Sequence, residues 1–134
     1  MERDDTTNIA VFEEIPDEAE FISTELRNAG LAVKPFAFSD HGQLEDIMLR
    51  HRIDLIFCNT EDKTLSTICQ VAERHKDHIP VIAVASDTDT ASVIRAMNNG
   101  AKDLVSRNQP EHMRLVAQRE LTHINQRKGL TEYK

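Results

Sequence analysis

The sequence is poor in aromatic residues, cysteine and glycine, and each shortage narrows what the protein can be. It has no tryptophan and 4% aromatic residues, so its core must consist of Ile, Leu, Val, Ala and Met. The two cysteines, Cys58 and Cys69, lie within apolar patterns, and we expect both to be buried and reduced. The four glycines are scattered, and none belongs to a clustered loop of the kind that binds nucleotide phosphates.

Long hydrophobic runs and an excess of positive charge are also missing. The longest clearly apolar stretch, Val81 to Ala85, is far too short to span a bilayer. The chain starts with the acidic and polar residues Met1 to Asp5, whereas a signal peptide starts with a basic segment. This difference favours a cytoplasmic location. Its 16 basic and 23 acidic residues give a formal charge of −7, which repels phosphate backbones. We therefore expect neither a membrane nor a nucleic acid as partner.

Short apolar runs alternate with helical patterns along the whole chain. The apolar runs that we predict as strands are residues 8–12, 31–38, 53–58, 81–85 and 102–105. Helical patterns follow them, with apolar residues at intervals of three and four that indicate one buried stripe. This alternation predicts an α/β fold, a flavodoxin-like (βα)5 doubly wound parallel sheet with the strand order 2-1-3-4-5.

The chain has the length of a single domain. Its 134 residues, of which 29% are charged, are typical of one globular unit with one core. The last helix is predicted from Gln109 to Arg127, and Gly129 follows it. We therefore assign residues 1–128 to the domain and residues 129–134 to the start of a linker to further domains.

In a sheet of this order, a site forms at the carboxyl ends of the first and third strands. Glu13 and Glu14 follow the first strand, and the third, residues 53–59, carries an Asp-Leu-Ile sequence and ends in Asn59. Residues 96–105 contain a Gly-Ala pair followed by a short apolar strand. These segments resemble the CheY-like receiver domains of response regulators. The resemblance extends over about residues 8–125.

The resemblance implies a role for each site position, and the chemistry differs at most of them. Receivers accept a phosphoryl group on an aspartate where this chain has Asn59, whose carboxamide is not an anionic nucleophile. The hydroxyl that ends strand four corresponds to Ala85, and the strand-five aromatic residue corresponds to Leu104. The lysine after strand five corresponds to Arg107, which keeps the charge without the compact ammonium. The resemblance therefore implies a degenerate receiver, or pseudo-receiver.

Three short segments carry a finer resemblance. Together with the Asp-Leu strand that ends without aspartate, the segments Arg27 to Gly30, His78 to Ile82 and Arg119 to Leu121 are similar to the degenerate receiver that heads FimX-type proteins. Such proteins also carry GGDEF and EAL domains and work in cyclic-di-GMP signalling. This resemblance implies that the chain is the regulatory N-terminal domain of a larger bacterial signalling protein.

The first functional hypothesis is a signalling module that needs no phosphorylation, has no enzyme activity and holds no cofactor. It would act on a protein partner or on a second copy of itself. Receivers commonly make such contacts through the face formed by helix 4, strand 5 and helix 5. Here this face is predicted to be polar, and its members are Arg95, Asn98, Asn99, Lys102, Arg114 and Gln118.

The second hypothesis is a divergent flavodoxin-like domain that binds a ligand. Glu13, Glu14 and Asn59 would then form a small-molecule or metal site at the carboxyl edge of the sheet. Mg²⁺ demands near-octahedral oxygen geometry, and the two glutamates have no anionic third partner. We expect Mg²⁺ binding to be weak at most, and the glutamates to be a solvated acidic pair.

Overall fold

The computed structural model describes residues 6–13, 17–59, 62–75, 78–86 and 89–132, with the backbone alone for residues 59, 62 and 125–132. The strands are β1 (Thr7–Phe12), β2 (Val33–Phe38), β3 (Leu55–Asn59), β4 (Val81–Ala85) and β5 (Asp103–Ser106). The helices are α1 (Glu18–Asn28), α2 (His41–Arg50), α3 (Asp62–Arg74), α4 (Thr90–Asn98) and α5 (Pro110–Glu132). All strand pairs are parallel, in the order β2-β1-β3-β4-β5, which confirms the predicted flavodoxin-like doubly wound sheet.

Two helical layers cover the sheet. α2, α3 and α4 pack on one face, and α1 and α5 pack on the other. The central strand β3 sends Ile56 into the first layer and Leu55 and Phe57 into the second, because successive side chains point to opposite faces. All three are fully buried, as is expected of a parallel strand between two helical layers.

Aspartate caps begin two of the helices. The Oδ1 atom of Asp40 accepts a hydrogen bond from the backbone N–H of Gln43 at 2.8 Å. The Oδ1 atom of Asp89 accepts one from the backbone N–H of Ser92 at 2.7 Å. The bonds from Ser92 favour the ionised form, so they lower the pKa of the Asp89 carboxyl. Both carboxylates satisfy donors that have no partner within the helix.

Two strands begin two residues later than predicted. β2 starts at Val33 and not at Leu31, because the N–H of Leu31 donates to the carbonyl of Leu26 and closes the turn that ends α1. β3 starts at Leu55, although Ile53 is buried like a strand residue. Apolar patterns report burial, and buried residues also occur just before a strand.

α5 is longer than its sequence indicated. It continues past Gly129 to Glu132, so residues 129–132 of the predicted linker have helical backbone, and residues 133–134 lie outside the described residues. One glycine in a helix interior costs about 1 kcal/mol relative to alanine, which is too little by itself to end a helix. No helix in the described part of the chain is long and apolar enough to cross a bilayer.

The α4–β5 connection packs tightly against α3. Gly100 has a φ of +107°, and a Cβ atom there would lie 2.9 Å from the Cβ of Cys69. Cys58 and Cys69 are both buried and form no disulfide, as predicted. Burial, with a smaller contribution from the nearby Glu73, raises the pKa of the Cys69 thiol to about 11.

Candidate functional site

The carboxyl ends of the strands bring most of the predicted site positions to one edge, which we call the carboxyl edge. Glu13 follows β1, Asn59 ends β3 and Ala85 ends β4. The parallel registers of β1, β3, β4 and β5 place these ends side by side. Glu14 and the side chain of Asn59 lie outside the described residues. The predicted ligand site at Glu13, Glu14 and Asn59 therefore remains a prediction.

Glu13 has a structural contact. Its Oε2 atom accepts a hydrogen bond from the backbone N–H of Ala19, in the first turn of α1, at 3.2 Å. Asp17 occupies the N-cap position with a φ of 68°, but its side chain makes no capping hydrogen bond. Glu13 supplies that cap instead, and the positive end of the helix dipole favours its carboxylate. The side chain that we expected to be solvated is thus half-buried.

Arg107 is bound by a carboxylate of α1. Its Nε atom lies 3.1 Å from both carboxylate oxygens of Glu18, and its Nη2 atom lies 3.0 Å from Oε2. The side chains of Arg107 and Glu18 are 23% and 7% exposed, so water reaches little of this pair. The charge that corresponds to the receiver lysine is therefore balanced within the domain.

A polar cluster that the sequence analysis missed joins the loops after β4 and β5. The hydroxyl of Ser106 donates to the carbonyl of Ser86 at 2.9 Å, and Nδ2 of Asn108 donates to the same carbonyl at 3.0 Å. The backbone N–H of Asn108 donates to Oγ of Ser106 at 3.0 Å. Ser106 is 2% exposed, and a hydroxyl at the end of a buried strand was the available signal, because buried hydroxyls require partners.

Ala85 and Leu104 occupy the positions of the receiver hydroxyl and aromatic residue. Both are buried, and they pack in the same core layer as Ala96 of α4. Neither side chain has a polar atom that could bind a phosphoryl group or alternate between the core and water. These two positions therefore provide packing at the carboxyl edge.

The residues predicted to form the interaction face differ in their surroundings. Arg95 and Lys102 are exposed on α4 and just before β5. Arg114 points the other way, toward α1, where its Nη2 atom lies 2.7 Å from Oε1 of Glu25. Gln118 likewise donates to the carbonyl of Ala29 after α1, at 3.3 Å. Arg114 and Gln118 thus contact α1 within the domain, because a helix that covers a sheet also has a neighbouring helix on one flank, and their part in an interaction face stays a prediction.

Asn98 and Asn99, the other two predicted members, end α4. Asn98 is exposed, and Nδ2 of Asn99 donates to the carbonyl of Arg95 at 3.0 Å. Both line a cavity together with residues of α3. They therefore lie where the predicted face borders this cavity.

Exposed apolar side chains make the face less polar than predicted. Ile94 and Met97 of α4 are 54% and 53% exposed, and Leu115 of α5 is 60% exposed. Leu115 lies one helical turn before Arg119, whose Nη2 atom is 3.1 Å from Oδ2 of Asp103 on β5. We call Ile94, Met97, Asp103, Leu115 and Arg119 the edge patch. The sequence analysis did not identify the three apolar members.

A small cavity of about 240 Å³ adjoins the carboxyl edge. Its walls come from Phe12 of β1, the start of α2 at Asp40 and His41, and the first turns of α3 at Lys63 and Thr64. Among the side chains that the structure describes, no three His, Cys, Asp or Glu residues form a group that could hold a metal ion. The expected weak Mg²⁺ site includes Glu14, so it stays a prediction.

The fold is that of response-regulator receiver domains. A response regulator from Thermotoga maritima has a TM-score of 0.72 at 15% identity, over 87% of this chain and 98% of its own. A CheY-like protein, TadZ from Pseudomonas aeruginosa PAO1, has a TM-score of 0.64 at 18% identity, over 85% and 98%. NtrX from Brucella abortus has a TM-score of 0.76 at 16% identity, over 96% of this chain and 29% of NtrX. No protein-family model and no curated protein matches the sequence.

Proposed function

We propose that this domain is a receiver-like signalling module that works without phosphorylation and without enzyme activity, through contact with a protein partner. Its receiver fold supports the signalling class. Asn59 supplies no carboxylate nucleophile, Ala85 supplies no hydroxyl and Leu104 supplies no aromatic switch. These replacements together support a module whose activity does not depend on a phosphoryl group.

The ion pair between Glu18 and Arg107 is the observation that carries this proposal. A cation at this position could stabilise a phosphoryl group, but Arg107 already contacts both oxygens of a buried carboxylate. A phosphoryl group that bound Arg107 in place of Glu18 would leave the charge of the buried Glu18 without a partner, which is strongly unfavourable. The pair therefore favours one permanent state of the β5–α5 loop.

The test is incubation with acetyl phosphate and Mg²⁺, followed by intact-mass measurement. We expect no added phosphoryl group on the wild-type chain, and none on Asn59→Asp, because Ala85 and the Glu18–Arg107 pair remain. Asn59→Ala serves as the matched control. A phosphoryl mass that is lost in alkali and is absent from Asn59→Ala would disprove phosphorylation independence.

The edge patch is the surface that we propose for protein contact. It combines exposed apolar side chains from two helices with the ion pair between Arg119 and Asp103, and aromatic, Met and Arg residues are typical of interfaces. Its small apolar area favours a transient contact over an obligate one. For self-association of the isolated domain, we expect a micromolar or weaker Kd, about −8 kcal/mol or less favourable.

Sedimentation equilibrium tests this surface. We expect Leu115→Ser and Arg95→Glu to weaken self-association at least about fivefold, which corresponds to about 1 kcal/mol. Leu49→Ser is the matched control, because Leu49 is an equally apolar and 86% exposed residue on α2. If the wild-type chain stays monomeric at high concentration, self-association is excluded and the partner must be a different protein. An equal effect of Leu49→Ser would contradict the choice of face.

The finer proposal is that the domain regulates a larger protein with GGDEF and EAL domains. The comparison with NtrX supports a modular arrangement, because the corresponding part of that protein is 29% of its length. The resemblance to the first domain of FimX-type proteins supports the cyclic-di-GMP class. Sequencing the reading frame beyond Lys134 tests it directly, and a frame that encodes neither domain would contradict it.

The second candidate function is ligand binding at Glu13, Glu14 and Asn59. The cavity of about 240 Å³ beside Phe12 favours it, since ligands of doubly wound folds bind at this edge. Against it, Glu13 already uses its carboxylate to cap α1. Titration with Mg²⁺, followed by amide NMR shifts, separates the candidates. We expect no saturation up to about 10 mM, and saturable shifts at Glu13 would favour the second.

A further inference from the structure

The opposite end of the sheet, the amino edge, contains a much larger cavity. It has a volume of about 800 Å³ and lies where β4 and β5 begin. Its walls are the last turns of α3 and α4 and the middle of α5. A cavity of this size accepts a small organic molecule. None of the positions implied by the receiver resemblance at the carboxyl edge contributes to it.

Glu120 is the buried charged group in its wall. The residue is 3% exposed, and it lines the cavity from α5. Both hydrogen bonds from its neighbour Arg119 go to the same atom, Oε2, at 3.1 Å from Nε and 3.0 Å from Nη2. Within the described residues, the other oxygen, Oε1, accepts no hydrogen bond. No buried side-chain nitrogen or oxygen in the described part of the chain lacks a partner, so Oε1 keeps access to the cavity, where a donor can reach it.

The charges around the cavity favour a cation. Glu73, Asp103 and Glu120 supply three carboxylates, against the two cations of Lys102 and Arg119. α3 and α4 also end at this cavity, and the carboxyl end of a helix carries partial negative charge. Among the described side chains, and with His78 and His123 neutral, these charges sum to −1, with Glu73 and Glu120 as the carboxylates on the cavity wall.

The remaining walls are partly apolar. Ile79, Pro80 and Val81 line the cavity at the start of β4, and Ile124 lines it from α5. Such side chains suit a hydrocarbon segment better than a hydrated metal ion. The described side chains also contain no metal-binding group of His, Cys, Asp and Glu. An organic cation with an aliphatic chain matches both kinds of wall.

We propose that the cavity at the amino edge binds a small aliphatic amine or diamine, with an ammonium group that donates to Oε1 of Glu120. An ammonium group has three N–H donors and no acceptor, which suits a carboxylate oxygen that has no donor. In a diamine, the second ammonium group interacts with Glu73, and the chain between them contacts Ile79 and Ile124. The proposal does not rest on the function proposed above, although Arg119 contacts both Asp103 of the edge patch and Glu120 of the cavity wall.

The experiment titrates the 134-residue chain with putrescine and follows the amide NMR signals. We expect saturable shifts confined to residues 98–102 and 120–124. Glu120→Gln should weaken binding at least tenfold, because its neutral oxygen no longer attracts the ammonium group. Glu111→Gln is the matched control, since it removes an exposed carboxylate from the same helix and should change the Kd by less than about twofold. Lys102→Gln should tighten binding, because it removes a like charge.

Three results would overturn the proposal. One is the absence of saturation by about 10 mM putrescine, which corresponds to binding weaker than about −3 kcal/mol. Another is equal weakening by Glu120→Gln and Glu111→Gln, which would reflect net charge alone. The third is equal binding of neutral n-butanol, which would exclude ammonium recognition. If Glu120→Gln does not fold, Glu73→Gln takes its place with the same expectation and the same control.

Discussion

Each edge of the sheet carries a buried glutamate paired with an arginine, and the two pairs differ in how completely the carboxylate is used. At the carboxyl edge, Arg107 contacts both oxygens of Glu18. At the amino edge, Arg119 contacts only Oε2 of Glu120 and shares its guanidinium with Asp103. Glu18 is therefore satisfied within the protein, whereas Glu120 retains an oxygen beside a cavity.

The difference follows from where each arginine comes from. Glu18 and Arg107 are 89 residues apart, so their pair joins α1 to the loop after β5. Arg119 and Glu120 are adjacent on α5, so their contact joins no separate elements. A buried ion pair strengthens the tertiary structure through the elements that it connects. The pair at the carboxyl edge holds α1 against the loop after β5, and we call it the lock. The pair at the amino edge leaves one carboxylate oxygen of Glu120 able to accept a hydrogen bond.

The largest expected effect is on the lock itself. Glu18→Ala should lower the free energy of unfolding by about 3 kcal/mol, because it leaves Arg107 largely buried without its partner. Glu120→Ala should cost only about 1 kcal/mol, because Arg119 is half exposed and stays hydrated. Urea denaturation measures both, with Glu20→Ala on the exposed side of α1 as the control. Equal costs at positions 18 and 120 would contradict the comparison.

The next effect concerns the wall of the amino edge. Gly100→Ala should cost about 2 kcal/mol, because the φ of +107° strains any L side chain and the new Cβ atom meets that of Cys69 at 2.9 Å. Gly30→Ala is the matched control, because its φ is +90° but no atom lies within 4 Å of the new Cβ. Its cost should be about 1 kcal/mol. Thermal unfolding that ranks the two in the opposite order would contradict the steric argument.

A smaller effect should appear at the start of α1, next to the lock. Glu13→Ala should destabilise the fold by about 1 kcal/mol, because Ala19 loses the acceptor of its N–H. Asp17→Asn is the control, since the side chain of Asp17 makes no capping bond and Asn tolerates its positive φ. Chemical denaturation is the measurement. A stabilising Glu13→Ala would instead indicate repulsion among the acidic residues of this edge.

The smallest expected effect is on the rate at which Cys69 is labelled, and not on the stability of the fold. The raised pKa of Cys69, about 11, keeps its thiol protonated at pH 8, where only about one molecule in a thousand carries the nucleophilic thiolate. In a Cys58→Ser background, iodoacetamide should therefore label the native chain far more slowly than the urea-unfolded chain. The native rate should rise only as the pH approaches 11. Rapid native labelling at pH 8 would show that the amino edge opens to solvent.

The sequence alone was sufficient for the order of elements and for the chemical groups on which the proposed phosphorylation independence rests. Apolar runs and helical stripes depend on local spacing, so they predicted every strand and helix within a few residues. The identities of Asn59, Ala85 and Leu104 support the proposed phosphorylation independence wherever the side chains point, because chemical groups do not change on folding. The caps at Asp40 and Asp89 were readable for the same reason, since donor and acceptor are neighbours in the chain.

Only the tertiary structure decided which charged groups meet. Glu18 and Arg107 belong to elements that the sequence separates, and neither residue type reveals its partner in advance. The same holds for Arg114, which the helical pattern placed on an open face and the fold placed against Glu25. Packing also decides whether a carboxylate such as Glu120 is exposed or lines a cavity, because burial depends on elements contributed by distant parts of the chain.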